Sequence, residues 1–305
     1  MGVSAFLSDS DVQLISRLRA QLAEAGLSGS FLVRDLTTGQ EIGIDPDVQL
    51  PIASLVKVPL AVAVLGRIHD GRLDGAALID VPSGRPDSIG EVGLTRFRHP
   101  SRVAVEDLLH LSLAISDNAA TDALFALVPP TEVTKLLRDI GISGITVRHL
   151  MRELSVIPSD GLSQTLAIGA KTAGLGQELP QLDVTRANVG SARALVDLLE
   201  ALWAPAADAA SPIPAEVAER VRGLMRGNIL RQRLGPDFTS DASTWSSKTG
   251  TLLNLRHEIG VVEHEDDAPF AVAALTESSV PAAAQPAAEA LMGRVARALH
   301  DHLRH

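Results

Sequence analysis

Residues 51–71 read PIASLVKVPLAVAVLGRIHDG, a strongly apolar run opened by Pro51 and stopped by Gly71. The spacing predicts a helix, with Pro59 in the early turns where a missing N–H is tolerated. Ser54 and Lys57 stand three apart, which places both on one face of a helix start. A serine hydroxyl is a weak nucleophile until a base takes its proton. A lysine supplies that base when burial or a nearby cation lowers its pKa. Backbone N–H groups at a helix start also suit a developing oxyanion. An ordinary helix start reads the same way, so the pair acquires meaning only from what surrounds it.

Outward from this stretch, residues 10–25 carry Val12, Ile15, Leu18 and Leu22 on one stripe, predicting a helix capped by Ser10 and ended by Gly26. SGSFLVRDLTTGQEIGIDPD (28–47) reads as a β-hairpin around Thr38-Gly39. Helical spacing recurs at 104–114, 119–127, 131–139, 191–203 and 214–226. Residues 155–181 have no clear period, a loop length that is usually functional or mobile. Strands return at STWSSKTGT (243–251), HEIGVVEH (257–264) and PFAVAALTE (269–277), with the acidic stretch from Glu263 to Asp267 as a polar hairpin tip, and a helix over about 282–303 follows. No internal repeat is visible. Strands at both ends with helices between them favour an α+β fold over a repeating βαβ one. The expected architecture is an α/β sandwich: an antiparallel sheet built from both termini, flanked by helices, with an all-helical domain inserted. Residues 1–69 and 227–305 form the first unit, 70–226 the second, and a site lies at their interface.

Two more short motifs fall on element ends. Ser116-Asp117-Asn118 follows the apolar run LLHLSLAI. All three residue types are good N-caps, while the hydroxyl also suits proton relay and the amide offers a donor and an acceptor. Lys248-Thr249-Gly250 lies on a strand, where a lysine suits a substrate carboxylate and glycine permits close backbone approach. Separations are 116 − 54 = 62 and 248 − 116 = 132 residues. The ordered set S-x-x-K, S-D-N, K-T-G resembles the signature of class A β-lactamases and penicillin-binding proteins, a β-lactamase/transpeptidase-like fold. The likeness runs over roughly residues 10–303. The chain has no tyrosine, which separates it from the class C branch, whose second motif uses one.

That resemblance implies an acyl-serine mechanism. Ser54 attacks a lactam or ester carbonyl, and the N–H groups of Ser54 and Thr251 hold the oxyanion. Lys57 acts as base, Ser116 passes a proton to the leaving group, and Asn118 positions Lys57 and the substrate amide. Lys248, Thr249 and Thr251 bind a substrate carboxylate beside Gly250. Two departures bear on turnover. The E-x-x-L-N pattern of the deacylating glutamate is missing, Val156-Ile157 standing where Leu-Asn is expected. Glu153 is the nearest candidate, with Arg148 or Arg152 as a partner for Asp183; a surface position on a short helix is its plain alternative. Asn188 matches an asparagine found in relatives that lack the glutamate. After Thr251, Arg256 or His257 faces the site according to strand register, with a satisfied structural histidine as the alternative.

Composition excludes other classes. Net charge is −10 with Lys and Arg scattered, which argues against nucleic acid as a partner. There is no cysteine, hence no disulfide or thiolate chemistry. His257 with His264, and His300, His302 and His305, lack the spacing of a helical metal site and are expected on solvated faces; no metal or other cofactor is expected. No apolar run reaches the ~20 residues of a membrane span. Residues 1–12 lack the basic start and apolar core of a secretory leader, so the expected location is cytoplasmic, or periplasmic or secreted if a leader was removed. The expected partner is a small-molecule substrate, and oligomeric state is left open. The expected function is that of a serine hydrolase of β-lactamase type, hydrolysing β-lactams through an acyl-Ser54 intermediate; the alternatives are a cytoplasmic esterase, amidase or acyl transferase acting on another metabolite, and a penicillin-binding module that acylates without turnover.

Overall fold

A computed structural model describes residues 7–84, 92–156, 179–204, 211–265, 268–279 and 285–304. The elements in chain order are α1 (Asp9–Glu24), β1 (Leu27–Asp35), β2 (Glu41–Ile44), β3 (Leu50–Pro51), a 3₁₀ turn (Ala53–Val56), α2 (Lys57–His69), β4 (Leu78–Val81) and β5 (Ser101–Ala104). After these come α3 (Val105–Ala114), α4 (Asn118–Leu127), α5 (Pro130–Asp139), β6 (Ile145–Thr146), a second 3₁₀ stretch (Met151–Val156) and β7 (Val189–Gly190). The chain continues with α6 (Ala192–Trp203), α7 (Ala215–Arg226), a short turn (Gly235–Phe238), β8 (Ser243–Leu252), β9 (Leu255–His264), β10 (Phe270–Ser278) and α8 (Pro286–Arg304).

The main sheet has the order β2-β1-β10-β9-β8, antiparallel throughout. β1 pairs with β10 from Leu27↔Ser278 to Asp35↔Phe270, so the N-terminal hairpin is inserted beside the last strand. The expected α+β class and two-ended sheet are what the structure shows. Alternation sorts the side chains: Leu32, Val261 and Ala271 face α6, while Phe31, Val33, Val262 and Val272 face α1 and α8. Helix α2 is buried from Lys57 to Leu65, as an all-round apolar sequence requires. Its apolar cluster runs on without a break into α3, α4 and α6. Among the described residues no helix is long and apolar enough to cross a membrane.

Several local expectations change. The cap of α1 is Ser8, because its hydroxyl accepts the Asp11 N–H while the Asp11 carboxylate accepts the Ser8 N–H, a reciprocal box unavailable to Ser10. Val12 is 52% exposed, and Leu14 takes its place on the buried stripe with Ile15, Leu18 and Leu22. His300 is buried rather than solvated, packed between Phe238 and Phe270, with Nδ1 hydrogen-bonded to Asp301 at 2.9 Å and Nε2 3.4 Å from that of His264. Of the expected 155–181 loop, residues 157–178 lie outside the described residues.

Asn188 is the bracket that sets the entry to the 51–56 segment. Its carbonyl accepts the Ile52 N–H (2.9 Å), its Oδ1 accepts the N–H groups of Arg148 (2.7 Å) and His149 (3.1 Å), and its Nδ2 donates to the His149 carbonyl (3.2 Å). The side chain is buried, so its removal leaves donors without acceptors. Asn188→Ala is expected to lower unfolding stability by about 2–3 kcal/mol in urea denaturation; a change within error would remove this bracket from the account.

Candidate active site

Ser54 sits in the 3₁₀ turn ahead of α2, half-buried, with Leu55 N–H closing back on the Ile52 carbonyl (3.0 Å). Ala53 before it has φ +48°, a left-handed conformation costly for a residue with a Cβ, and one often held at functional turns. Among the described residues no hydrogen bond engages the Ser54 side chain, which leaves its hydroxyl open for a ligand.

Lys57, one turn on, is fully buried and points its amine at the 116–118 turn. Nζ donates to the Ser116 carbonyl (2.6 Å), Ser116 Oγ (3.0 Å) and Asn118 Oδ1 (2.7 Å). Lys248 Nζ reaches the same Ser116 Oγ at 3.0 Å from the far side and also the Thr249 carbonyl at 2.8 Å. One hydroxyl therefore stands between two buried amines. Burial, then the charge of Lys248, pulls Lys57 well below the ordinary lysine range, against the opposing carboxylates of Asp117 and Asp122. Burial, then Arg233, brings Lys248 down to about 7, with Glu258 opposing. When Lys57 is neutral, the Ser116 proton points to its lone pair while Lys248 donates to the same oxygen.

The 116–118 turn is built to hold this position. Ser116 itself is left-handed (φ +60°), and Asp117 caps α4 through the N–H groups of Ala119 and Ala120. The Asp117 carboxylate also accepts from Leu94 N–H and the Thr95 hydroxyl, which docks the 93–96 turn beside the site. Gly93 is required there: its φ is +68°, and a Cβ would fall 2.2 Å from Asp117 Oδ2.

Strand β8 is an edge strand, and its Lys248-Thr249-Gly250 stretch lies against the Ser54 turn. A Cβ on Gly250 would meet the Ile52 carbonyl at 2.9 Å, so glycine sets the approach of strand to turn. Thr251 is exposed at the strand's end, where its Oγ1 accepts from Arg233 Nη2 at 2.7 Å. Thus Ser54, Lys57, Ser116, Asn118 and Lys248 through Thr251 are brought to one place.

Glu153 is not joined to them. It is exposed on the Met151–Val156 turn, and its Oε1 accepts the Leu150 N–H (3.0 Å), so the carboxylate caps its own turn. His257 is a correction. Its ring is fully buried, Nε2 faces the Pro51 carbonyl (2.9 Å) and Nδ1 accepts the Thr276 N–H (3.1 Å). Both nitrogens are taken and burial presses the ring down to about 4, so it is a neutral strut between the sheet and the Ser54 turn, with nothing left for a ligand. Arg256 spends its Nη1 on the carbonyls of Leu253 and Leu255. No ion pair forms between Asp183 and Arg148 or Arg152; Asp183 binds Thr185, and Arg148 donates to the Ala187 carbonyl.

Three residues escaped the sequence reading. Asp122, four past Asn118 on the same face of α4, accepts the N–H groups of Met151 (2.7 Å) and Arg152 (2.9 Å), and burial pushes its carboxyl up. Its i, i+4 spacing from Asn118 was the available signal. Glu258 is fully buried in the apolar HEIGVV run, accepting Leu234 N–H (2.8 Å) and the Trp245 indole (2.9 Å), with burial raising its pKa. A charge on the inward face of a strand was its signal. Arg233 had none.

The sequence profile of the β-lactamase enzyme family matches residues 13–303. The chain belongs to that family. It is 59% identical over 304 residues to the β-lactamase regulatory protein BlaB of Streptomyces cacaoi, covering 95% of this chain and 97% of that one. Solved folds of the family superpose over nearly all of it. A mutant class A β-lactamase of the last common ancestor of Gram-negative bacteria has TM-score 0.74 at 20% identity, covering 96% of this chain and 99% of its own. PBP-A has TM-score 0.73 at 18% identity, covering 96% of each chain. At these identities the likeness speaks to fold.

Two outcomes follow from the site. Gly250→Ala is expected to cost about 1–3 kcal/mol of stability by forcing β8 from the Ile52 carbonyl; an unchanged melting temperature and acylation rate would refute that contact. A lysine depressed to about 7 is charged below that pH and neutral above it. Binding of a carboxylate-bearing ligand at Lys248 should therefore weaken as pH rises through about 7, while binding of a carboxylate-free one should show no such loss.

Proposed function

We propose that the protein takes a β-lactam, or a related amide or ester bearing a carboxylate, onto Ser54 and holds it as a slowly deacylating acyl-enzyme. The observation that carries this reading is the Ser116 hydroxyl held between Lys57 and Lys248 beside an unengaged serine. Ser54 Oγ bonds to the carbonyl carbon as its proton passes to neutral Lys57. The N–H groups of Ser54 and Thr251 receive the oxyanion. On collapse the C–N or C–O bond breaks, and the proton moves from Lys57 through Ser116 Oγ to the leaving atom. Lys248, Thr249 and Thr251 hold the carboxylate, and Asn118 holds Lys57 and the substrate amide. With the chain divided as the sequence suggests, Ser54 and Lys248 come from the 1–69 and 227–305 unit and Ser116 from the 70–226 unit, which supports a reaction at their seam.

Slow deacylation is supported by the side chain of Glu153, which turns back on Leu150 N–H. Among the described residues no carboxylate hydrogen-bonds to Ser54, Lys57 or Ser116, which supports slow activation of a hydrolytic water. A regulatory relative and a PBP-A variant solved as an acyl-enzyme with penicillin G are consistent with a sensor that stays loaded. Mixing the protein with a chromogenic cephalosporin while following colour and intact mass tests this. One stoichiometric burst and a stable adduct, both lost in Ser54→Ala, are expected. Steady colour release would favour a β-lactamase, and ester cleavage without any cephalosporin adduct would favour an esterase.

A further inference from the structure

We propose that Arg233 is a positioning residue for the oxyanion peptide Gly250–Thr251 and not a ligand of the substrate. The inference rests on the acyl-serine reading above and names what aims one of its two oxyanion donors. Arg233 lies on the segment between α7 and β8, with only 3% of its side chain exposed. Nη1 donates to the carbonyls of Gly250 (2.9 Å) and His257 (2.7 Å), Nη2 to Thr251 Oγ1 (2.7 Å), and Nε to Glu289 of α8 (3.0 Å). Four of the five guanidinium N–H groups are thereby occupied.

A trans peptide is planar, with its C=O and N–H pointing in opposite directions. Fixing the Gly250 carbonyl on one side therefore fixes the Thr251 N–H on the other, away from Arg233 and out along the free edge of β8. That edge is where Gly250 abuts the Ser54 turn. Gly250 has no Cβ to restrict rotation of this peptide, so the restraint comes from the ladder with β9 and from a partner on the carbonyl. Arg233 supplies it at three points: the carbonyl ahead of Thr251, the Thr251 hydroxyl, and the carbonyl of His257, the register partner of Gly250. The arginine is itself anchored on both flanks, by Glu289 at Nε and by buried Glu258, which accepts the N–H of the next residue, Leu234. A guanidinium this enclosed is poorly placed to meet a substrate carboxylate.

The test uses Arg233→Lys and Glu289→Gln; the second keeps the guanidinium and takes the charge from its Nε anchor, leaving a weaker neutral acceptor. Two probes are compared, a cephalosporin with its carboxylate and a p-nitrophenyl ester without one, alongside the ¹⁵N-resolved amide signal of Thr251. Arg233→Lys should slow the acylation step by about 10- to 100-fold for both probes alike, with pre-acylation affinity unchanged. Glu289→Gln should act in the same direction, by about 3- to 10-fold. The Thr251 amide signal should move in both variants. Loss confined to the carboxylate-bearing probe, expressed in affinity, would make Arg233 a substrate ligand and overturn the proposal. An unmoved Thr251 amide would overturn it too. Should Arg233→Lys fail to fold, Glu289→Gln decides by the same amide signal. Should neither probe acylate the parent protein, the acyl-serine reading falls, and the amide signal alone still decides whether Arg233 aims this peptide.

Discussion

The structure turns on a single hydroxyl shared by two buried amines. Taking an ammonium out of water costs several kcal/mol even after relaxation. Here two of them converge on Ser116 Oγ at 3.0 Å each, and among the described residues neither makes an ion pair. The cost is offset by three hydrogen bonds on Lys57, two on Lys248, and loss of charge, since both lysines are driven below their ordinary range. Much of the surrounding architecture follows from keeping that geometry. The left-handed turn at Ser116, the Asp117 cap and the docked 93–96 turn hold the hydroxyl from one side. The buried Lys57–Leu65 part of α2 holds Lys57 from the other.

Behind the reacting groups lies a second polar layer inside an otherwise apolar sheet. His257, Glu258 and Arg233 are all buried, and each ties a different element to β8 or to the turn before Ser54. Buried polar groups specify geometry only when their hydrogen bonds are complete, because a half-satisfied network costs more than an apolar one. His257 has both nitrogens matched, and Arg233 has four donors matched. The separation between β8 and the 3₁₀ turn is thus set from both sides, by polar contacts behind and by the missing Cβ of Gly250 in front.

What was legible in the sequence was the part governed by short-range rules. Helical and alternating periods placed α3 through α7 and the three C-terminal strands within a residue or two, and the three motifs converged on one site. Long-range side-chain geometry was not legible. Arg256 and His257 are adjacent, and the choice between them depends on register, which the pairing Gly250↔His257 decides. That pairing buries the ring beneath Pro51 rather than presenting it. Glu153 stands near the distance expected for a hydrolytic base, but its side chain folds onto Leu150 because a 3₁₀ turn offers a free N–H there. Arg233 acts across 17 to 56 residues of chain, and nothing local marks it.

The pairing of β1 with β10 has a consequence for how the chain comes to be active. Ser54 is made early, but the strand beside its hairpin ends at Ser278, and the lysine opposite it is residue 248. Contacts this distant in sequence are entropically expensive to close and slow to form. During synthesis the N-terminal hairpin must wait, edges unpaired, until most of the chain has left the ribosome. A nascent or truncated chain would carry Ser54 without Lys248 and the strand beside it, so the assembled site arrives only with the completed sheet.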